Sequence, residues 1–196
     1  MSLEVICGCM YSGKTEELIR RIRRALFAKQ KVRVFKPFQD TRYSKNDIVT
    51  HYGEKIEGYS VENAAQIYDL SQEAHVIGID EAQFFSQELL EVVELLSTEK
   101  RVIICGLDQD FIGRPFGHMG DLLCMADSIT KLTAVCTICG EDATRSQRIT
   151  EDQHQIKIGS HKDYEARCFN HWAKPTMETS KIPLHSFKVF HQAENH

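Results

Sequence analysis

Three groups of residues have types and spacing that could do chemistry. The first is GCMYSGKT, from Gly8 to Thr15. The pattern G-x-x-x-x-G-K-[ST] turns backbone N–H groups toward the phosphates of a nucleotide. Gly8 and Gly13 permit the turn, and the positive end of the following helix adds to it. Lys14 brings a full charge to the β- and γ-phosphates, and Thr15 offers a hydroxyl to Mg²⁺. The second is the pair Asp80 and Glu81, at the end of the apolar run VIGID. Ligands of open α/β sheets gather at the carboxyl ends of strands, so Asp80 is placed to hold Mg²⁺ beside Thr15. In an extended segment Glu81 would point the other way, toward a nucleophile that needs a base. These residues predict phosphoryl transfer from a Mg-nucleotide and leave the acceptor open between water and a small molecule.

The third group is CTIC (Cys136, Cys139) with CFNH (Cys168, His171). Two pairs of soft ligands, each with two residues between, suit tetrahedral Zn²⁺. Four filled positions predict a structural ion. The 28 residues between the pairs are too many for a compact finger, so the metal is expected to pin both ends of a long loop. Cys7, Cys9, Cys105 and Cys124 lack pair spacing, and core packing is the better reading for most of them. Cys9 lies in the phosphate loop, where it could be reactive. No role is assigned to His51 or His118.

The elements that must position these groups follow from periodicity. Leu3 to Cys7 is a buried strand feeding the phosphate loop. Leu18, Ile19, Ile22, Ala25 and Leu26 recur at helical spacing, which predicts an amphipathic helix from Thr15 to about Lys29. Val32 to Pro37 is the second strand. The polar stretch from Asp40 to Gly58 is expected to be loop with a short hairpin. Ser60 can cap a helix to about Leu70. Val76 to Asp80 is the third strand, Ser86 caps an apolar helix to about Thr98, Val102 to Gly106 is the fourth strand, and Ser128 to Val135 the fifth. Alternation of strands and helices implies parallel pairing with right-handed crossovers. The predicted fold class is α/β: a P-loop, RecA-like parallel-sheet domain over 1–134, followed by a small zinc-binding lasso domain over 135–174. Residues 175–196 are expected to be a mobile tail.

Composition narrows the partners. The chain has 196 residues, 42% hydrophobic, with 24 basic against 28 acidic side chains and a net charge of −4. That balance gives no electrostatic case for nucleic acid or membrane as the main partner. The basic run RRIRR, Arg20 to Arg24, is expected to be a solvated helix face, with Glu16 and Glu17 four residues ahead for ion pairing. No apolar stretch has membrane length, and a phosphate loop starting at residue 8 leaves no room for a leader, so the expected location is cytoplasmic. Seven cysteines in a reducing compartment again favour metal over disulfides.

Several stretches, taken together, resemble the thymidine kinases of the cytosolic, zinc-containing type (type II). They are GCMYSGKT at Gly8, KPFQDTRYS at Lys36, IDEAQFF at Ile79, GLDQDFIGRPFG at Gly106 and KLTAVCTICG at Lys131, followed by CFNH at Cys168. They occur in the family's order and cover about Leu3 to Trp172. The resemblance implies an ATP:thymidine 5′-phosphotransferase that makes dTMP by salvage for DNA synthesis, as a homotetramer using Mg²⁺ with ATP and a structural Zn²⁺. By position, Glu81 matches the general base for the 5′-hydroxyl. Gly8, Cys9, Met10, Tyr11, Ser12, Gly13, Lys14 and Thr15 match the ATP-binding loop, and Asp80, Glu81, Ala82 and Gln83 a second ATP-binding segment. Asp40, Thr41 and Arg42 match a segment at the phosphates. Phe111 matches the aromatic stacked on thymine, a role its π-face suits in an apolar slot. Met10 and Leu107 match residues around the base methyl. Gln155, Ile156, Lys157, Ile158, Gly159 and Tyr164 match the loop that closes over the nucleoside. Cys9 departs from the proline or small residue usual in the family, and His171 replaces a cysteine found in some members. The competing expectation is a P-loop ATPase whose zinc unit binds nucleic acid. A nucleotide-binding regulator without turnover is a third, disfavoured by the intact Asp80 and Glu81.

Overall fold

In the computed structural model of the chain, residues 1–38, 47–49, 55–150 and 163–173 are described. The expectations for 40–42, 155–159 and 175–196 lie outside the described residues.

The strand feeding the phosphate loop, β1 (Ser2–Gly8), runs inside the protein because its apolar side chains have cover on both faces. Leu3, Val5 and Cys7 enter one core cluster and Ile6 the other, as the period of two requires. Helix α1 (Lys14–Phe27) buries Leu18, Ile19, Ile22 and Ala25 against the Ile6 side, whereas Leu26, expected on the same face, is exposed in the last turn, where the helix end leaves it beyond the sheet's cover. Strand β2 (Val32–Pro37) has the predicted limits. A hairpin follows, β3 (Asp47–Val49) with β4 (Lys55–Glu57), in the polar stretch where one was expected.

Next come β5 (Tyr59–Val61), α2 (Ala64–Leu70), β6 (Val76–Ile79), α3 (Glu88–Glu99), β7 (Arg101–Gly106), α4 (Met119–Met125) and β8 (Ser128–Leu132). Helices α2, α3 and α4 place Ile67, Leu89, Val93, Met119 and Leu122 against the Val5 side of the sheet. The six-stranded sheet has the order β5-β2-β6-β7-β1-β8, and every pair is parallel. Strand β7 lies between β1 and β6, so one strand separates the phosphate loop from Asp80.

Four further details differ from the sequence-based expectation. Asn63, not Ser60, caps α2: its side chain accepts from Gln66 N–H at 3.1 Å. Ser60 lies in β5, which is too short to show a period and pairs with β2. Ser86 does not cap α3 with its side chain; its carbonyl accepts from Leu89 N–H at 3.0 Å, and Gln87 holds the cap position. Helix α4 had no anticipated counterpart. The expected strand Ser128 to Val135 is two: β8 pairs with β1, and after Thr133 the chain starts β9 (Ala134–Val135) in another sheet.

The remaining strands are small and antiparallel. β9 pairs with β10 (Asp142–Ala143), and β11 (Arg145–Arg148) with β12 (Tyr164–Arg167). Thr137 N–H donates to Ala166 at 3.1 Å and Thr144 N–H to Arg167 at 3.2 Å, which ties the two hairpins together. Among the described residues, no helix is long and apolar enough to cross a membrane.

Candidate active site and metal centre

The phosphate loop spans the gap between β1 and α1. Gly8 has φ 146°, and a Cβ there would lie 2.3 Å from the Leu132 carbonyl oxygen. Only glycine fits where the loop leaves the sheet beside β8. Tyr11 holds φ 66° and Gly13 φ 81°. Lys14 Nζ donates to the Cys9 carbonyl at 2.7 Å, and Ser12 Oγ donates to the same oxygen at 2.8 Å. The ammonium is therefore held across the loop it is expected to serve.

Across the loop, Thr15 Oγ1 lies 3.5 and 3.4 Å from the two Asp80 carboxylate oxygens. Asp80 is buried, and Oδ1 accepts from the Glu81 N–H at 2.9 Å and from the Cys105 thiol. Burial first, and then the Asp80 carboxylate, push the Cys105 thiol well above its ordinary range, so it stays a neutral donor. A hydroxyl facing a carboxylate is an oxygen-only pair of the kind that Mg²⁺ takes.

Glu81 departs from the extended geometry expected of it. Its φ and ψ are 51° and 43°, left-handed, and the chain turns at once into a single 3₁₀ turn, Ala82–Phe84. Such a conformation costs a non-glycine residue about 1–2 kcal/mol. Glu81 is aimed by this turn and not by strand alternation. The side chain of Ala82 belongs to the core. That of Gln83 is buried, accepting from Leu107 N–H at 3.0 Å and donating to Glu81 Oε2.

The segment from Gly106 to Gly117 is a tight lariat. Asp110 Oδ1 accepts from Ile112 N–H at 3.0 Å and Arg114 N–H at 2.9 Å, while Asp110 N–H donates to the Arg114 carbonyl. These bonds present Phe111 at the tip. Its slot is not purely apolar: the Arg148 guanidinium lies 3.8 Å from the ring centroid. Arg148 is buried and its Nε donates to Tyr164 Oη at 3.0 Å. Arg148 thus joins two of the predicted substrate residues, and nothing in the polar run TRSQR singled it out. Tyr164 stands in β12 opposite Arg148 in register.

Three successive loop residues bond to the small antiparallel unit. Cys9 Sγ donates to Ala143 at 3.2 Å, Met10 N–H to Ser146 Oγ at 3.0 Å, and Tyr11 Oη to the Tyr164 carbonyl at 3.1 Å. Cys9 packs with Ala134, Cys136, Ala143 and Ala166 in a cluster of its own. Burial pushes its thiol up, and neighbouring Lys14 only partly offsets this. A buried neutral thiol is not the reactive group that its place in the loop suggested.

Cys136, Cys139, Cys168 and His171 come together as expected, with all ligand atoms within 4.8 Å of one another. Cys139 Sγ and Cys168 Sγ are 3.8 Å apart, and Cys168 Sγ lies 3.3 Å from His171 Nδ1. A tetrahedron with Zn–S bonds of about 2.3 Å has S···S edges of about 3.8 Å, so the donor set fits zinc. Burial pushes the Cys136 thiol up, but N–H groups of Cys168, Ile138 and Cys139 outweigh it and bring the group down to about 5. Cys139 is raised instead: the Glu141 N–H lowers it, but burial and the Cys136 and Cys168 thiols prevail. A thiol pulled down beside one held up is a charge conflict of the kind that a divalent cation resolves. The span between the ligand pairs is not simply a loop, because β10, β11 and β12 lie within it.

A family model described as "Thymidine kinase" matches residues 1–172. Two curated proteins, each named "Thymidine kinase", are similar over most of their length. The one from Rhodothermus sp. (strain ITI 518) is 48% identical over 167 residues, covering 85% of this chain and 78% of its own. The one from Coprothermobacter proteolyticus (strain ATCC 35245 / DSM 5265 / OCM 4 / BT) is 49% identical over 180 residues, covering 88% and 91%. The match runs from β1 to Trp172, the residue after the Cys/His cluster, so the sheet, the phosphate loop and the cluster share one ancestry, and the chain belongs to the thymidine kinase family.

Proposed function

We propose that the chain transfers the γ-phosphate of MgATP to the 5′-hydroxyl of thymidine, with deoxyuridine as a second acceptor, in deoxynucleotide salvage. The observation that carries this reading is the position of Glu81. It follows the residue that faces Thr15, and through Gln83 it is bonded to the strand end that begins the Phe111 lariat. A base between a phosphate site and a base-stacking site suits a hydroxyl acceptor better than bulk water.

In the proposed reaction the Gly8–Thr15 backbone and Lys14 bind the phosphates. Thr15 and Asp80 would hold Mg²⁺, which neutralises charge on the β- and γ-phosphates when bound. Glu81 accepts the proton of the 5′-hydroxyl as its oxygen bonds to phosphorus. The bond from the γ-phosphorus to the bridging oxygen breaks, ADP leaves with that electron pair, and dTMP forms. Phe111 stacks on thymine, and Met10 and Leu107 flank the base methyl. Gln155 to Gly159, with Tyr164, would close over the nucleoside and exclude water, and Asp40 to Arg42 would serve the phosphates. Zinc at Cys136, Cys139, Cys168 and His171 is structural in this reading. The homotetramer and the cytoplasmic location belong to the same proposal, and rest on the family.

The test is ADP release from MgATP with each nucleoside supplied separately. Thymidine should give ADP and dTMP in equal amounts, and deoxycytidine neither. Equal ATP consumption without any nucleoside would make water the acceptor and overturn the reading.

A further inference from the structure

The resemblance matches Gln83 to the ATP-binding segment, and its amide is engaged by protein on both sides. Its Oε1 accepts from Leu107 N–H at 3.0 Å, and its Nε2 donates to Glu81 Oε2. The orientation of this amide follows from chemistry, because Leu107 N–H can only donate and a carboxylate at pH 7 only accepts. Gln83 is buried, while its partners Glu81 and Leu107 are half-buried, so the amide reaches from the interior to the rim of the site.

The backbone around it is equally constrained. Glu81 sits in the left-handed region, and its N–H is committed to Asp80 Oδ1. Gly117, at φ 51°, packs so closely on Gln83 that a Cβ there would lie 2.3 Å from the Gln83 carbonyl oxygen. The end of the Phe111 lariat thus presses on the residue that grips Glu81. A carboxylate on a short, strained turn has several rotamers open to it, and a donor fixed by the neighbouring backbone favours one of them.

We propose that Gln83 is a positioning residue. It relays the location of the Leu107 backbone, where the Phe111 lariat begins, to the carboxylate of Glu81, so that nucleoside site and base keep a fixed separation. This rests on Glu81 being the base. Gln83 need not touch either substrate.

The test is a double-mutant cycle on the full-length enzyme. Gln83→Met removes both bonds. Gln83→Glu is isosteric, keeps an acceptor for Leu107 N–H and removes the amide donor, which guards against loss of folding in the methionine variant. Each should lower kcat about 10- to 100-fold, the range for a misplaced catalytic group. KM for thymidine and for ATP, and MgADP affinity by equilibrium dialysis, should stay within about twofold if Gln83 acts through Glu81 and not on either substrate. In a Glu81→Gln background, Gln83→Met should add less than about a twofold loss, because residues acting as one unit are not additive. Multiplying losses, a rise in either KM with kcat kept, or wild-type kcat in Gln83→Glu would overturn the proposal. Glu81→Gln alone separates the two ideas. It should lose about 10²–10⁴-fold in kcat. If it does not, the base assignment falls and the positioning role with it; if it does while both Gln83 variants turn over normally, only the positioning role falls.

Discussion

The indole N–H of Trp172 donates to the backbone carbonyl of Phe111 at 3.3 Å. Trp172 directly follows His171 of the Cys/His cluster, and its ring packs on Gly113 of the lariat. The Arg145 guanidinium lies 5.6 Å from the same ring. The Cys/His cluster is therefore linked to the predicted base-stacking residue through one side chain, and that side chain is the chain's sole tryptophan.

Metal removal should be visible in that tryptophan. If the Cys/His cluster holds zinc, chelation is expected to shift Trp172 emission to the red and to raise the nucleoside KM at least about tenfold, with the ATP KM changing less. Trp172→Phe keeps the ring but loses the donor, worth about 1 kcal/mol, hence about fivefold in nucleoside KM. Fluorescence and KM titrated against chelator check both. An emission change that leaves nucleoside KM untouched would disconnect the cluster from Phe111.

Phe111→Ala should raise the nucleoside KM through loss of about 1–3 kcal/mol of stacking, leaving the ATP KM nearly unchanged. Arg148→Lys tests the other side of the ring. Lysine keeps the charge but has no plane to stack on Phe111 and no fork for Tyr164. Its nucleoside KM should rise in the same direction by a smaller factor. Initial rates over a grid of both substrates separate the effects, and equal shifts in both KM values would argue against stacking.

Native-state alkylation should miss Cys9. Its thiol is 2% exposed and raised by burial, so both access and thiolate fraction are low at pH 7–8. Exposed Cys124 should label first. Mass spectrometry of iodoacetamide-treated protein, before and after unfolding, decides this. Rapid loss of activity with label on Cys9 would restore the reactive reading.

Acid should loosen the edge where α1 meets the sheet. Glu4 accepts from Arg101 Nε at 2.6 Å and Arg21 Nη1 at 2.7 Å. Burial pushes its carboxyl up, but the two guanidiniums outweigh this and hold it below its ordinary 4.5. Glu17 is held lower, at about 2, chiefly by its hydrogen bond from Arg20. Because the folded-state values lie below the unfolded ones, this stabilisation is complete above about 4.5 and is lost as pH falls toward 2. Glu4→Gln should cost about 1–3 kcal/mol at pH 7. Its deficit relative to wild type should shrink as pH drops below 4.5. Thermal melts from pH 7 to 3 check the sign.

Much was legible along the chain because the signals were local. A phosphate loop needs glycine and lysine at fixed offsets, a zinc knuckle needs two ligands on one short turn, and a buried parallel strand needs an unbroken apolar run. Hence the limits of β2, four of the five apolar positions of α1 and the meeting of Cys136, Cys139, Cys168 and His171 agree between sequence and structure, while Leu26 near the end of α1 is exposed. Ser60 and Asn63 carry equivalent cap chemistry, and only the pairing of β5 with β2 decides that the helix starts after Asn63. Likewise the change of partner from β1 to β10 divides what reads as one strand at Thr133.

By itself the sequence determined which groups exist: a phosphate-binding turn, two adjacent carboxylates, an aromatic on a glycine-bounded loop and four soft ligands. Spacing along a backbone suffices for these, since each is set by bonds a few residues long. The tertiary structure alone decided how the groups meet. The turn after Ile79 puts Glu81 in the left-handed region and hands its carboxylate to Gln83, against the expectation from strand alternation. The register of β11 with β12 sets Arg148 beside Tyr164, and the lariat delivers Phe111 onto its guanidinium. Those contacts join residues far apart in the chain, and no local pattern encodes a distance that depends on sheet order and on the packing of one loop against another.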